Sequence, residues 1–423
     1  MSAERNPRAE ILAQLEKAGG LMYVYDYTAE PEMTPAPKGY KPFYISHFGR
    51  HGARYAMKSQ YKMVYQALTQ ADAALLLTER GKQFLKDYGP FYEEAIYHDG
   101  ELSRVGIEQE RTLAARMVRR FPEVFKGNTR LSALATPVGR VILSMTSFID
   151  GLQGIDKTLE VEENGSESFS PILRPNWSPL SEGRSDTIDE ISAPYIPYFK
   201  ETVDIKGILG RIFTDPAAAV SRLGIDEVPF IRNLFDIING MQCLEEPAPF
   251  FDGILTLEDQ VAIARASAYR ISLFLGRYKD SGSLYADYAA YTLQDILDKA
   301  EADMASGEYQ LRLRFSHDSS VLPVAVFMDL NGLGRTAESP EEAFAIFPLW
   351  EMPMGGNLQL VFYRSARHPD ILVKALWNEQ ESVLPFPAAE GPYYRWNDFK
   401  AYYREAMDTS FAKIQSAKHH AND

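Results

Sequence analysis

One short stretch constrains this chain more than any other, because it joins a strand to a cluster of charge. The apolar run Phe43–Ile45 leads into Arg50-His51-Gly52-Ala53-Arg54. A buried strand that delivers a charged loop is how α/β folds present chemistry at the carboxyl edge of a sheet. Guanidinium groups match phosphoryl oxygens, and a histidine between them can attack phosphorus. The stretch indicates a phosphate site with His51 as nucleophile; a structural or surface histidine is the alternative.

Two further predicted strands are also followed by charged residues or a histidine. Thr129–Ala135 is followed by Thr136-Pro137, which suits the start of a helix, and Arg140 lies in that first turn. Tyr309–Phe315 alternates apolar and polar side chains as a strand does, and it delivers Ser316-His317-Asp318. Parallel strands bring such distant ends to one edge of a sheet. The expected site therefore gains a third arginine, a second histidine and an acid.

The length of the chain and its pattern of predicted helices and strands indicate a core interrupted by an insertion. At 423 residues it suits one large domain with an insertion, or two domains. We predict an α/β core at 1–156 and 307–423 and a mostly helical cap at 157–306. Two later strands, Leu358–Tyr363 and Ile371–Trp377, suggest a hairpin. The predicted helices of the cap are Ser192–Phe213, Asp226–Met241, Leu257–Tyr278 and Ser283–Ala305.

Composition excludes several classes of function. Lysine and arginine number 44 against 58 aspartate and glutamate, a net charge of −14, which argues against a nucleic-acid partner. A polyanionic substrate would therefore need a local basic pocket. No histidines and cysteines cluster at metal-ligand spacing, and no apolar run approaches the roughly 20 residues that span a bilayer. A predicted helix from Ser103 to Arg120 carries five arginines, a pattern typical of a solvated face.

Together these motifs resemble the second branch of the histidine phosphatase superfamily, which holds the histidine acid phosphatases and phytases. The signature is Arg50-His51-Gly52-Ala53-Arg54 with the distant His317-Asp318. Gly100-Glu101-Leu102-Ser103, with Gly106 and Gln109, is similar to a family segment of the same spacing. The resemblance implies a phosphoglycerate-mutase-like core of three layers, with a mostly parallel central sheet and a mostly helical cap.

The resemblance also implies a mechanism. His51 would attack phosphorus in line and form a phosphohistidine, and Asp318 would protonate the departing alkoxide and then help activate water. No metal or organic cofactor is implied, because arginines supply the positive charge. The side chains that would hold the phosphoryl oxygens are Arg50, Arg54, Arg140 and His317.

Some residues resemble one group of enzymes within the family and some resemble another. Tyr55 and Leu376-Trp377-Asn378 resemble the multiple inositol polyphosphate phosphatases. Those enzymes usually place the acid two residues after the histidine, where this chain has Ser319. Asp318 follows the histidine directly, as in the acid phosphatases and bacterial phytases. Lys58 falls where some phytases place a substrate-binding lysine; a surface lysine is the alternative.

The resemblance therefore implies a phosphomonoester hydrolase that acts on phosphorylated small molecules. Inositol phosphates, including phytate, are the expected substrates, and basic residues lining the cap would favour them. A broad acid phosphatase or sugar phosphatase is the alternative among enzymes. A non-catalytic phosphate-binding protein is the alternative among other classes of protein. Relatives usually work in the periplasm or outside the cell. We expect the same here, with an export signal outside this sequence; a cytoplasmic protein is the alternative.

Overall fold

The computed structural model describes residues 5–182, 187–246 and 253–422. Their central feature is an eight-stranded sheet whose order is β3-β2-β4-β1-β5-β6-β7, with β8 paired to β6. The strands are β1 Tyr40–Arg50, β2 Arg130–Ala135, β3 Glu160–Gly165, β4 Leu311–Ser316, β5 Asn357–Ser365, β6 Leu372–Trp377, β7 Gln380–Glu381 and β8 Tyr394–Arg395.

The sheet has a parallel half and an antiparallel half. Strands β3, β2, β4 and β1 run parallel, while β5 to β8 pair antiparallel. In register, Arg50 of β1 lies opposite Ser316 of β4, and Ala135 of β2 lies opposite Phe315. The carboxyl ends of β1, β2 and β4 therefore reach the same edge. The predicted hairpin is present as the antiparallel pair of β5 and β6.

Helices cover both faces of the sheet and fill the segment between β3 and β4. Among the described residues, none of them is both long and apolar enough to traverse a lipid bilayer. The helices are α1 Pro7–Ala13, α2 Lys58–Ala73, α3 Glu79–Ala95, α4 Arg104–Arg120, α5 Gly139–Gln153, α6 Ser170–Leu173, α7 Ile188–Ser192, α8 Tyr195–Thr202, α9 Ile205–Ile212, α10 Pro216–Leu223, α11 Glu227–Gly240, α12 Leu257–Phe274, α13 Tyr285–Ser306, α14 Asp318–Phe327, α15 Pro340–Ile346 and α16 Trp396–Asn422.

Alternation along β1 explains the layers. Ile45 points to one face, where it joins a buried cluster with Met117 of α4 and Phe148 of α5. Tyr44 and Phe48 point to the other face and join a second cluster formed with α13, α14 and α16. Successive strand residues face opposite sides, so a strand buried on both sides must be apolar throughout. The predicted α/β class and three-layer core are confirmed.

The segment 157–306 contains more than cap helices. Strand β3, which the sequence pattern did not reveal, pairs parallel with β2 at the edge of the sheet. Its side chains are mostly exposed and polar, so it lacks the apolar run that marks a buried strand. The single helix expected over Ser192–Phe213 is divided into α8 and α9 by an extended turn. There Asp204 caps α9 by accepting a hydrogen bond from the Gly207 N–H.

Helix α4 corrects one expectation, because its arginines do not all face solvent. Arg116 is 1% exposed and forms an ion pair of 2.8 Å with Glu379. Its Nη2 also donates to the carbonyl of Tyr27 at 2.6 Å. Arg120 lies 3.5 Å from the same carboxylate. The solvated-face prediction is wrong for these two residues because distant segments cover this side of the helix.

Candidate active site

Arg50 ends β1 in a buried position. Its Nη1 donates to the carbonyls of Leu21 and Met352, each at 2.7 Å. Its Nη2 lies 3.0 Å from Oδ2 of Asp318. The buried Nε–H has no partner among the described residues. Two carbonyls fix the plane of the guanidinium, so one N–H is left over, in a fixed place, for an incoming acceptor.

His51 follows directly and is 2% exposed. Its backbone N–H donates to the carbonyl of Ser316 at 3.1 Å, which ties the loop after β1 to the end of β4. Its Nδ1 lies 3.0 Å from the carbonyl of Gly52. A carbonyl only accepts, so Nδ1 carries the hydrogen and Nε2 keeps its lone pair. The ring centroid of His317 lies 5.7 Å away.

The electrostatic surroundings keep His51 neutral. Burial, and then the repulsion of the neighbouring arginines and His317, lowers the pKa of His51 well below its ordinary value. The ring therefore stays unprotonated into the acidic range. A histidine with a free Nε2 and no positive charge of its own can act as a nucleophile.

His317 and Asp318 lie where β4 passes into α14. Nε2 of His317 is 3.2 Å from the hydroxyl of Thr136, at the end of β2. Burial first, and then Arg140, lowers the pKa of His317 to about 4. Asp318 opens α14, and its Oδ1 accepts a hydrogen bond of 2.7 Å from the N–H of Ser319.

Asp318 is held as a carboxylate by its surroundings. Burial acts to raise its pKa, but Arg50, His317 and other nearby donors outweigh that effect and hold the pKa below its ordinary value. A phosphoryl dianion placed among the same cations would neutralise part of their field. The pKa of Asp318 would then rise, which is what a proton donor to a leaving oxygen requires.

Arg54 and Arg140 complete the cationic edge. Nη1 of Arg54 donates to the carbonyl of Tyr55 at 2.7 Å, and Arg140 lies in the first turn of α5. The Nε–H groups of both are buried and have no partner in the part of the chain that the structure describes. Burial, followed by repulsion from Arg54, lowers the pKa of Arg140 to about 10. Buried donors without acceptors are costly, so these groups are arranged for an anion.

The loop that carries these residues is packed against the start of α4. The N–H groups of Gly52 and Ala53 donate to the side chains of Ser144 and Gln109, at 3.0 and 3.1 Å. A Cβ atom at Gly52 would lie 2.8 Å from the carbonyl of Gly106. One at Gly106 would lie 2.2 Å from the carbonyl of Ala53. The two glycines therefore allow a backbone contact that no side chain permits.

The variant Gly106→Ala tests this contact. We expect it to lower the free energy of unfolding by about 1–3 kcal/mol, the usual result of forced overpacking, and to reduce kcat by displacing the loop. Chemical denaturation and phosphate release measure the two effects. Gly89→Ala is the matched control, because a Cβ there meets nothing within 4 Å. Wild-type stability and turnover in Gly106→Ala would contradict the proposed role of the contact.

The structure brings together six of the seven residues that the sequence singled out. Lys58 is different: it begins α2 with an exposed side chain, and its backbone N–H donates to Asp99 at 2.8 Å. Within the described residues, no three histidine, cysteine, aspartate or glutamate side chains lie close enough to hold a metal ion. The six assembled residues are Arg50, His51, Arg54, Arg140, His317 and Asp318.

A cavity of about 130 Å³ adjoins this cluster and contains residues that the sequence pattern did not reveal. Arg50, Arg54 and Asp318 line one side of it. The opposite side belongs to α11 and α12, and its charged residues are Arg232, Asp236 and Arg270. Their helices were predicted, but which helix face looks toward the sheet edge depends on tertiary packing.

Comparison with known proteins finds one family model that matches part of the chain. Residues 48–191 match the model of the histidine phosphatase superfamily, branch 2. The matched segment includes Arg50, His51, Arg54 and Arg140, and the fold adds His317 and Asp318 from outside it. No curated protein sequence matches the chain significantly.

Solved structures share the fold of this chain over most of its length. The multiple inositol polyphosphate phosphatase of Bifidobacterium longum, in complex with inositol hexasulfate, is 17% identical with a TM-score of 0.73 and covers 91% of this chain and 97% of its own. The D. castellii phytase is 19% identical with a TM-score of 0.69, over 93% and 85%. The Klebsiella sp. ASR1 phytase is 14% identical with a TM-score of 0.52, over 91% and 98%.

Proposed function

We propose that this protein hydrolyses phosphomonoesters of small molecules through a phosphohistidine intermediate, with inositol phosphates, including phytate, as its substrates. One observation carries the proposal. A neutral, buried His51 keeps a free Nε2 among arginines whose buried Nε–H groups have no partner within the described residues. The substrate class is supported by the names of the structural relatives, which are an inositol polyphosphate phosphatase and phytases.

The first half-reaction transfers the phosphoryl group to the protein. The site arginines and His317 bind the phosphoryl oxygens and stabilise the charge that develops on them. Nε2 of His51 attacks phosphorus as the bond to the ester oxygen breaks. Asp318, protonated once the substrate has offset the surrounding cations, donates its proton to that oxygen, and the alcohol leaves.

The second half-reaction returns the protein to its starting state. Asp318 is now a carboxylate and accepts a proton from a water molecule as the oxygen of that water attacks phosphorus. The bond between phosphorus and Nε2 of His51 breaks, and its electron pair returns to the ring. Inorganic phosphate leaves, and no further reactant is consumed.

A broad acid phosphatase or sugar phosphatase is the second candidate. It would use the same His51 and Asp318, which act on the phosphoryl group and the ester oxygen and not on the rest of the alcohol. A non-catalytic phosphate-binding protein fits less well, because binding alone requires neither a free Nε2 at His51 nor an acid at position 318. We also propose a periplasmic or secreted location, as in the family that the motifs resemble. Cell fractionation followed by a phosphatase assay tests that location.

Phosphate release at pH about 5 without added metal tests the proposed function, since an acidic medium supplies protonated Asp318. Phytate and an aryl phosphate are the two substrates. Turnover of both supports the inositol phosphate proposal, while turnover of the aryl phosphate alone favours the broad phosphatase. Absence of turnover with either substrate would overturn both.

A further inference from the structure

The cavity described above lies on the leaving-group side of the site. Asp318, the proposed donor to the leaving oxygen, lines it, whereas His51 and Arg140 do not. Arg232 and Asp236 project from α11 one helical turn apart, and Arg270 projects from α12. These three side chains therefore lie where the alcohol part of the substrate binds.

Arg232 and Arg270 are two cations that share the cavity with one carboxylate, Asp236, whose charge acts on both. Both are partly buried, and neither forms a hydrogen bond or ion pair with any residue that the structure describes. Each lies against an aromatic ring, Arg232 at 5.6 Å from Tyr195 and Arg270 at 5.2 Å from Phe274. Burial, and then repulsion from Arg232, lowers the pKa of Arg270 to about 10. Two desolvated guanidiniums that repel each other form a site for an anion.

Asp236 gives the same cavity a carboxylate. Its Oδ2 accepts a hydrogen bond of 2.9 Å from Nε2 of Gln60. The orientation of the Gln60 amide is fixed, because its Oε1 accepts from the backbone N–H of Met57 at 2.9 Å. No donor within the described ranges reaches Oδ1 of Asp236. A carboxylate held in this way accepts a hydrogen bond from a hydroxyl group and repels a phosphate.

We propose that the cavity selects a leaving group with a second phosphate and a free hydroxyl. The phosphate binds to Arg232 and Arg270, and the hydroxyl donates to Asp236. Partially dephosphorylated cyclitol phosphates are then better substrates than the fully phosphorylated ring, which would place a dianion against Asp236. This inference rests on the proposed function and narrows its substrate class.

Relative turnover of three substrates tests the inference. The substrates are inositol 1,4-bisphosphate, inositol hexakisphosphate and an aryl monophosphate, and kcat/KM is measured for each. We expect the wild type to prefer the bisphosphate to the hexakisphosphate by at least about tenfold. Asp236→Asn is expected to reduce that preference about tenfold, because the amide no longer repels the additional phosphate. Arg270→Gln is expected to raise KM for the bisphosphate about tenfold or more, and KM for the aryl phosphate less.

Arg222→Gln is the matched control, an exposed arginine in the last turn of α10. It should leave all three values unchanged. A wild type that prefers the hexakisphosphate would overturn the inference. The inference is also overturned if the substrate preference stays at its wild-type value in Asp236→Asn and in Arg270→Gln alike. If one variant fails to fold, the other and the wild-type ratio decide. Failure of the proposed function is distinguishable, because the wild type would then hydrolyse neither inositol phosphate, whether or not it hydrolyses the aryl phosphate.

Discussion

Replacing His51 by alanine is expected to lower kcat by at least about 10⁴-fold, because no other group can form the covalent intermediate. The loss should be large for every substrate, since each leaving group departs only as Nε2 forms its bond to phosphorus. The arginines and His317 remain in place, so KM should change far less than kcat.

A direct measurement of the intermediate accompanies the kinetics. Wild type mixed with a ³²P-labelled substrate and quenched in base should retain label, because a phosphohistidine is stable in base and labile in acid. His51→Ala should retain none. His368→Gln is the matched control, an exposed histidine stacked on Tyr40. A fully active His51→Ala, or label that survives acid but not base, would rule out the mechanism.

The second large effect is expected from Asp318→Asn. With an alkyl phosphate, kcat should fall by about 10²–10⁴-fold, the usual contribution of a positioned acid and base. With an aryl phosphate carrying a good leaving group the first half-reaction should lose much less, because a weakly basic oxygen departs without a proton. Burst kinetics separate the two halves. Equal losses in the first half-reaction for alkyl and aryl substrates would show that Asp318 does not donate the proton.

The pH profile of the same variant gives an independent readout. Arg50 and the other donors outweigh burial and keep the pKa of Asp318 below its ordinary value, so the protonated fraction of the free protein grows as the pH falls. The pKa of His51 lies well below that of an ordinary histidine, so the nucleophile remains unprotonated over that range. Wild-type kcat/KM for an alkyl phosphate should therefore rise from neutral to acidic pH. In Asp318→Asn this rise should disappear.

Sequence patterns predicted the parts of this site that adjoin buried strands. β1 and β4 carry apolar residues on both faces or in clear alternation, so their ends, Arg50 and Ser316, could be placed at one edge. Strand β3 was missed because it lies at the edge of the sheet with polar, exposed side chains. A strand in that position is stabilised by its partner's hydrogen bonds, which leave no mark on side-chain periodicity.

Contacts between distant segments could not be predicted from patterns along the chain. The ion pair of Arg116 with Glu379 joins residues far apart in the sequence, and nothing near either residue distinguishes it from a surface charge. The placement of Arg232 and Arg270 could not be predicted from the sequence either. Their helices have ordinary amphipathic patterns, and only the packing of α11 and α12 turns these two cations toward the cavity. The acceptors of Arg50 are backbone carbonyls, which every residue possesses.

The two carbonyls that hold Arg50 are made at very different times during synthesis of the chain. One belongs to Leu21 and is made early, while the other belongs to Met352 and leaves the ribosome only after most of the chain. His317 and Asp318 come late as well, yet the loop of His51 is complete long before them. An unfinished chain therefore carries the reactive histidine without an oriented arginine beside it. Orientation of Arg50 therefore depends on the meeting of two segments far apart in the sequence.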